Sequence, residues 1–378
     1  MSEIYKGRGN SAMHADFIDF INYVFGFNGN SQDFIKLLPK LYKPEYLPCE
    51  NNYVVTEDGK LKAAIGVFPR KLDVMGTVLK VDGVGNVAVH PYSRSKGYMR
   101  ELLHTAVDEM IASGTDMSDL GGLRQRYGYF SYEVASVVCR FEITTTSLRH
   151  CFAGKELKPL EFVEVKDQDD RILDEIYRLH ESKRIHMIRA RGEFLDIARS
   201  WSRKLWAIFD GDRFVGYYID RLIELTLCDE SDFDDVVRNF VASMGSVSIR
   251  LPLSETGMIA AAEKICDDVR LENDQNFTVF HWAKVIEAFL RLKGASTGLA
   301  DGVLSYLVHG IAGDESFTIR VEKGIPEVTA FRSGDIVELG HKEAVAYFFG
   351  LVSSERMRDG LAAGWFPLPL FIDAADHV

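Results

Sequence analysis

Long apolar runs are missing from this sequence. No stretch approaches the roughly 18–20 apolar residues needed to span a bilayer, so no membrane span is expected. The first residues, "MSEIYKGRGNSAMHADF", lack the apolar core of a secretory signal. Cysteine is scarce: Cys49, Cys139, Cys151, Cys228 and Cys266 are scattered, odd in number and free of C-x-x-C spacing. That pattern argues against a disulfide framework and a zinc site, and a reducing cytoplasm is the expected location. An excess of positive charge is missing too. The formal net charge of −12 speaks against nucleic-acid binding by general electrostatics. It is compatible with drawing in cationic small molecules, although solubility alone accounts for it. His180 and His186 lie six apart without an H-E-x-x-H frame, and G-x-S-x-G is absent. Neither a zinc hydrolase nor a Ser-His-Asp hydrolase is indicated, and no metal is expected.

What is present is ordinary globular sequence. With 378 residues, the chain exceeds one typical domain, and two or three are expected. An apolar face (Phe17, Ile18, Phe20, Ile21, Val24) predicts an N-terminal helix. "YVVTEDGKLKAAIGVF" (53–68) predicts a hairpin turning at Asp58-Gly59. Val78–Val84 and Asn86–Val89 read as short strands. Met99, Leu102, Leu103, Ala106, Val107, Met110 and Ile111 then recur at helical spacing, with Gly114 as the terminating residue. "TDMSDLGG" reads as strand and turn, and Ser136–Glu142 as a strand. A weaker echo follows: helical "DDRILDEIYRLHESKR", then a second hairpin, "WAIFDGDRFVGYYI", turning at Asp210-Gly211. From about residue 284, the helices "AKVIEAFLRLKG" and "KEAVAYFFGLV" flank strand-like "SFTIRVEKGIPEVTAF" and "DIVELG", a small α+β unit. The tail "GWFPLPLFIDAADHV" is too apolar for a solvated end and is expected to dock.

Two glycine patterns invite a cofactor. Gly83-Val-Gly85-Asn-Val-Ala88 satisfies G-x-G-x-x-A, but His90-Pro91 follows where a dinucleotide fingerprint must open a helix. The second pattern is "VAVHPYSRSKGYMRELL" (87–103): a strand to Val89, a Pro-bearing loop, and a helix starting near Gly97. Unpaired N–H groups at a helix start hold anions, and Arg94, Ser95 and Lys96 add donors and charge. Gly97 lets the main chain approach a pyrophosphate. Read alone, the same residues describe an exposed basic helix start. The echo in the second unit, "CDESDFDDVVRNFV", is acidic there and holds no phosphate by charge; its Asp229–Asp235 run reads as a solvated helix start.

The strand–loop–helix stretch resembles motif A of the GNAT superfamily, which binds acetyl-CoA at R/Q-x-x-G-x-G/A. The departure is Met99, where a small residue is usual. Together with "RYGYFSYE" (126–133), it is similar to the enhanced-intracellular-survival (Eis) type of N-acetyltransferase, specifically over about residues 84–133. The resemblance implies an α/β (α+β) fold of two GNAT modules in tandem followed by a small sterol-carrier-protein-like α+β domain: 1–148 catalytic, 149–283 degenerate, 284–378 sterol-carrier-like. It implies acetyl-CoA as cosubstrate, held by Val87, Ala88, Val89, Arg94, Ser95, Lys96, Gly97, Tyr98, Met99 and Arg100, with Tyr127 and Gly128 contributing. In that family a tyrosine matching Tyr132 protonates the departing thiolate, and the chain's last carboxylate, here that of Val378, serves as base. Asp376 and His377 are near enough in sequence to share that role. Tyr129 is expected to be aromatic packing, and His90, at the strand end beside the implied cofactor, either acts there or caps the loop. The implied activity is direct acetyl transfer to a primary amine entering between the first module and the C-terminal domain, by a homo-oligomer. The alternative is a lipid- or small-ligand-binding protein that uses its C-terminal domain beside a vestigial acyltransferase core.

Overall fold

The computed structural model describes residues 3–353 and 357–378. The first unit runs β1 (Ile4–Arg8), α1 (His14–Gly26), β2 (Asn52–Glu57), β3 (Lys60–Val74), β4 (Thr77–Val89), α2 (Tyr98–Ala112), β5 (Met117–Leu120) and β6 (Glu133–Thr144). The second runs β7 (Glu161–Glu164), α3 (Asp170–Glu181), β8 (Ile185–Met187), β9 (Leu205–Asp210), β10 (Arg213–Ile219), β11 (Glu224–Leu227), α4 (Phe233–Met244), β12 (Ser246–Pro252), α5 (Thr256–Ile265) and β13 (Asp268–Val279). The third comprises α6 (Trp282–Ser296), β14 (Gly302–Gly310), β15 (Gly313–Glu322), β16 (Ile325–Ala330), β17 (Val337–Gly340) and α7 (His341–Phe349), ahead of the tail.

Local chemistry explains the elements that position the site. Asp58 and Gly59 both take positive φ, 49° and 75°, as the mirror-image turn of a two-residue hairpin requires. α2 buries Leu102, Leu103, Ala106 and Met110 on one face and is followed by Gly114 at φ 70°. The two short runs expected around Asn86 form one strand, β4. Its register against β3 shifts between Ala64 and Gly66, and Asn86 sits at φ 52°: β4 carries one extra residue there, a bulge.

The large sheet has the order β1-β2-β3-β4-β5-β13-β6-β12, with β8 paired to β3. α2 packs on one face, over Val67, Val84, Leu120 and Tyr132. α1 packs on the other, over Val54, Phe68 and Ala88. The two units repeat an order: hairpin, strand, helix, then two more strands. Yet β13, the second unit's last strand, lies beside β5, where the first unit's last strand would lie. β6 pairs in turn with β13 and β12. The units have exchanged their final strands, so divisions at residues 148 and 283 fall inside the helices Thr145–Cys151 and α6 while the sheet crosses them. The remaining strands form two four-stranded sheets, β11-β10-β9-β7 and β16-β15-β14-β17.

The tail docks as its composition predicts. Trp365, Phe366, Leu368, Leu370 and Ile372 enter the core shared by the third unit and the large sheet. The chain then turns between the first two units and ends against β4.

Candidate active site

β4 and β5 pair in parallel only from Val81–Met117 to Val84–Leu120. β4 continues to Val89, held on its other side by β3 through Gly85–Gly66, Ala88–Ala64 and Val89–Ala63. The strands therefore diverge beyond Val84, and the β4 edge there can hydrogen-bond an extended amide-bearing ligand as it would another strand. His90 ends the strand and accepts from the Tyr92 N–H at 3.3 Å, capping the turn, one of the two roles open to it. Ser95 and Gly97 take φ of 68° and 85°, and α2 starts directly after Gly97 with no side-chain cap. Glu101 N–H donates to Gly97 O at 3.1 Å, so the N–H groups of Tyr98, Met99 and Arg100 remain for an anion. Nothing lies within 4 Å of where a Gly97 Cβ would be; glycine is required here by its backbone angle rather than by space.

A cavity of about 760 Å³ opens at this point, lined by Val87, Val89, Arg94, Ser95, Gly97, Tyr98, Met99 and Arg100 of the expected residues. Val24, Phe25, Ser93 and Arg126 line it as well. Val24 was visible only as part of an apolar face, Phe25 not at all, and Arg126 only as the start of "RYGYF". Met99 packs partly against the α2 core, so a large residue there leaves the first turn open. Four expected residues lie elsewhere. Ala88 points into the α1 core. Lys96 Nζ pairs with Glu57 at 2.7 Å. Tyr127 is buried beneath Gly122, whose Cβ would stand 2.8 Å from its ring, and a Cβ on Gly128 would stand 3.7 Å from Lys342 Nζ. Tyr129 is 85% exposed, so it does not pack near a strand: Ser131 at φ 66° turns the chain and only Phe130 and Tyr132 point inward.

Tyr132 is fully buried, and its hydroxyl lies 2.8 Å from Ser118 Oγ on β5. Burial pushes its phenol up from the ordinary value, which favours the protonated form, a donor rather than a base. On the opposite face of the same strand, Asp119 binds Arg70 and, at 3.1 Å, His377 Nδ1. The chain end rests on β4. A Cβ on Gly83 would lie 2.7 Å from Val378 Cγ2 and against Arg70 Nη2, and one on Gly85 would lie 3.3 Å from the Val378 carboxyl carbon. The G-x-G pattern that fails as a dinucleotide turn thus makes room for the C-terminus. Tyr132 thus lies on the α2 face of the sheet and Val378 on the α1 face.

Buried charges hold the tail. Arg189 binds Asp376 at 2.7 Å and Glu224 at 2.7 Å, and Lys183 binds Asp373 at 2.6 Å. Lys40 donates to the carbonyls of Ala375 and His377, both at 2.5 Å, and Arg70 donates to Asp376 O at 2.6 Å. Asp376 is paired on both oxygens with Arg189 and lines the cavity beside Val378. Beside Val378 a cavity of about 270 Å³ is walled by Lys40, Phe68 and Arg70 on one side and Ile188, Arg189, Glu193 and Ile197 on the other. The opening beside the chain end thus lies between the first and second units, rather than against the body of the third.

In the second unit, Asp229 caps the segment ahead of α4 by accepting from Ser231 N–H at 2.8 Å, and Asp232 pairs with Arg213 at 2.8 Å. The acidic run is a helix start, as expected. No helix among the described residues is long and apolar enough to cross a membrane.

Residues 8–135 match the Acetyltransferase (GNAT) domain family, and no curated protein sequence matches the chain. Three solved structures share its fold over nearly its full length. A probable N-acyltransferase of unknown function from Enterococcus faecalis V583 is 14% identical, with a TM-score of 0.65 over 92% of this chain and 90% of its own. A GCN5-related N-acetyltransferase from Anabaena variabilis is 17% identical, with a TM-score of 0.63 over 93% and 91%. Eis1 from Mycobacterium abscessus is 13% identical, with a TM-score of 0.58 over 93% and 90%. The matched segment, residues 8–135, is a GNAT acetyltransferase domain carrying the diverging strands and the uncapped helix start described above, and the chain as a whole shares the fold of these three structures.

Proposed function

We propose that the protein transfers an acetyl group directly from acetyl-CoA to a primary amine at the divergence of β4 and β5. The observation that carries this reading is the convergence on one short stretch of sheet of an open strand edge, an uncapped helix N-terminus, a buried phenol and the chain's own C-terminal carboxylate. The residues present fit the cosubstrate. Gly85–Val89 offer main-chain donors and acceptors to the pantetheine amides, and the α2 N–H groups with Arg94, Arg100 and Arg126 face a cavity suited to phosphates. The thioester supplies the activated acyl carbon. The Val378 carboxylate takes the proton of the attacking amine, and Tyr132 gives its proton to the sulfur as the carbon–sulfur bond breaks. Gly83 and Gly85 keep the carboxylate on the strand, and the cavity of Glu193 and Arg189 admits the amine. Residues 1–148 are the catalytic unit, 149–283 a degenerate copy that contributes β13, and 284–378 the sterol-carrier-like domain whose end returns to the site.

Replacing Arg94 or Arg126 by alanine is expected to raise KM for acetyl-CoA roughly tenfold each, because a hydrogen bond to a charged group contributes about 1.5–3 kcal/mol. Initial rates at varied acetyl-CoA check this. An unchanged KM in both variants would move the pyrophosphate off this loop. Lys96→Ala is expected to change KM far less, since its ammonium is spent on Glu57.

A further inference from the structure

The residue before the chain end is held more tightly than a passive spacer requires. His377 Nδ1 lies 3.1 Å from Asp119 Oδ2 on β5, and its Nε2 faces Asp274 Oδ2 on β13 at 3.6 Å. The two carboxylates come from different units, because the exchanged strand β13 inserts beside β5. Each carboxylate has a second cation behind it: Arg70 on Asp119 and Arg250 on Asp274 at 2.7 Å. The backbone is pinned as well, by Lys40 on His377 O. Only Nδ1 is hydrogen-bonded to a carboxylate, that of Asp119; Nε2 is buried without a hydrogen bond and faces the Asp274 charge across 3.6 Å, and two carboxylates on either side of the ring favour the imidazolium.

We propose that His377 is a positioning residue: clamped between Asp119 and Asp274, its imidazolium fixes the Val378 carboxylate on the Gly83–Gly85 face of β4, so that a strand lent by the degenerate unit completes the active site of the catalytic one. The proposal rests on the reading of that carboxylate as base. The groups facing His377 are Asp119 from β5, Asp274 and Gln275 from β13, and Arg70 from β3 by way of Asp119, with Lys40 on its carbonyl and the Val378 carboxylate next in the chain. Burial opposes the charged imidazole, but the hydrogen bond to Asp119 and the nearby Asp274 charge outweigh it and hold its pKa up at about 9. A raised histidine pKa contributes stability that is full below the ordinary 6.5 and lost as pH rises through about 9. The clamp therefore holds at neutral pH and releases in alkali.

The test is steady-state turnover of the full chain in four forms: wild type, His377→Gln, Asp274→Asn and the double variant, each with CoA binding measured separately. The clamp predicts that each single change lowers kcat roughly ten- to a hundredfold, as a displaced base would, with CoA binding and the acetyl-CoA KM unchanged. The double variant should fall no further than the worse single one. The alkaline fall in kcat near pH 9 should disappear in His377→Gln. Unchanged kcat in His377→Gln, or independent multiplying losses in the double variant, would overturn the proposal. If Asp274→Asn does not fold, His377→Gln alone decides. A chain lacking Val378 separates the two ideas. Lost turnover there with His377→Gln fully active removes the clamp alone, whereas full turnover without Val378 removes both the base and the clamp.

Discussion

Tyr132→Phe is expected to lower kcat by roughly a hundred- to ten-thousandfold, the usual contribution of a positioned general acid, while leaving CoA binding nearly unchanged. The substitution removes only the hydroxyl. The ring stays in the α2 core with Val84, Leu120 and Phe130, and the lost hydrogen bond is the one to Ser118 at 2.8 Å. That loss leaves Ser118 Oγ buried without its partner, which costs stability by about 1–3 kcal/mol. A double substitution with Ser118→Ala should recover part of the stability and none of the rate. Burial already favours the protonated phenol, so the wild-type rate should not fall in weak alkali through loss of the Tyr132 proton. Undiminished turnover in Tyr132→Phe, measured by thiol release, would remove the residue from the mechanism.

Deleting Val378 is expected to have an effect of the same order, for the opposite half of the chemistry. Without it the chain ends at His377, and the terminal carboxylate no longer reaches the surface over Gly83 and Gly85. Gly83→Val should reproduce the loss without touching the tail. A side chain there would occupy the space of Val378 Cγ2, 2.7 Å from the Cβ position, and of the Arg70 guanidinium. That crowding is destabilising by roughly 1–3 kcal/mol. Both variants should retain CoA affinity, since the cavity along Val87–Arg100 lies beyond the contact. Two routes to the same phenotype separate displacement of the carboxylate from general damage. Normal turnover in the deleted chain would exclude the terminal carboxylate as base.

Much of the first unit was legible locally. The Asp58-Gly59 turn, the 3.6-residue period of α2 and the phosphate-type turn before it each depend on a few neighbouring residues. The acidic replacement of that turn in the second unit was legible for the same reason. What escaped depends on contacts between residues far apart in the chain. The strand β13 reads "DVRLENDQNFTV", with Val269, Leu271, Phe277 and Val279 at alternate positions around a polar middle; its place between β5 and β6 depends on contacts far along the chain. Gly83 and Gly85 looked like a failed dinucleotide fingerprint. Their purpose becomes visible only when Val378 is placed on them. His377, likewise, is one of ten histidines in the sequence until Asp119 and Asp274 are brought to either side of it. Lys96 is a further case: its place in a basic run suggests phosphate binding, and the partner it has here, Glu57 on the neighbouring hairpin, comes from a distant part of the chain.

The most direct test of the account is thiol release from acetyl-CoA by the wild-type chain and the Tyr132→Phe variant across a panel of primary amines. The panel should span polyamines, aminoglycosides, lysine peptides and small amino metabolites. The account predicts amine-dependent release of CoA with matching acetylamine formation, lowered at least a hundredfold by Tyr132→Phe. CoA binding without amine-dependent release for any acceptor, or equal release by the two proteins, would contradict it.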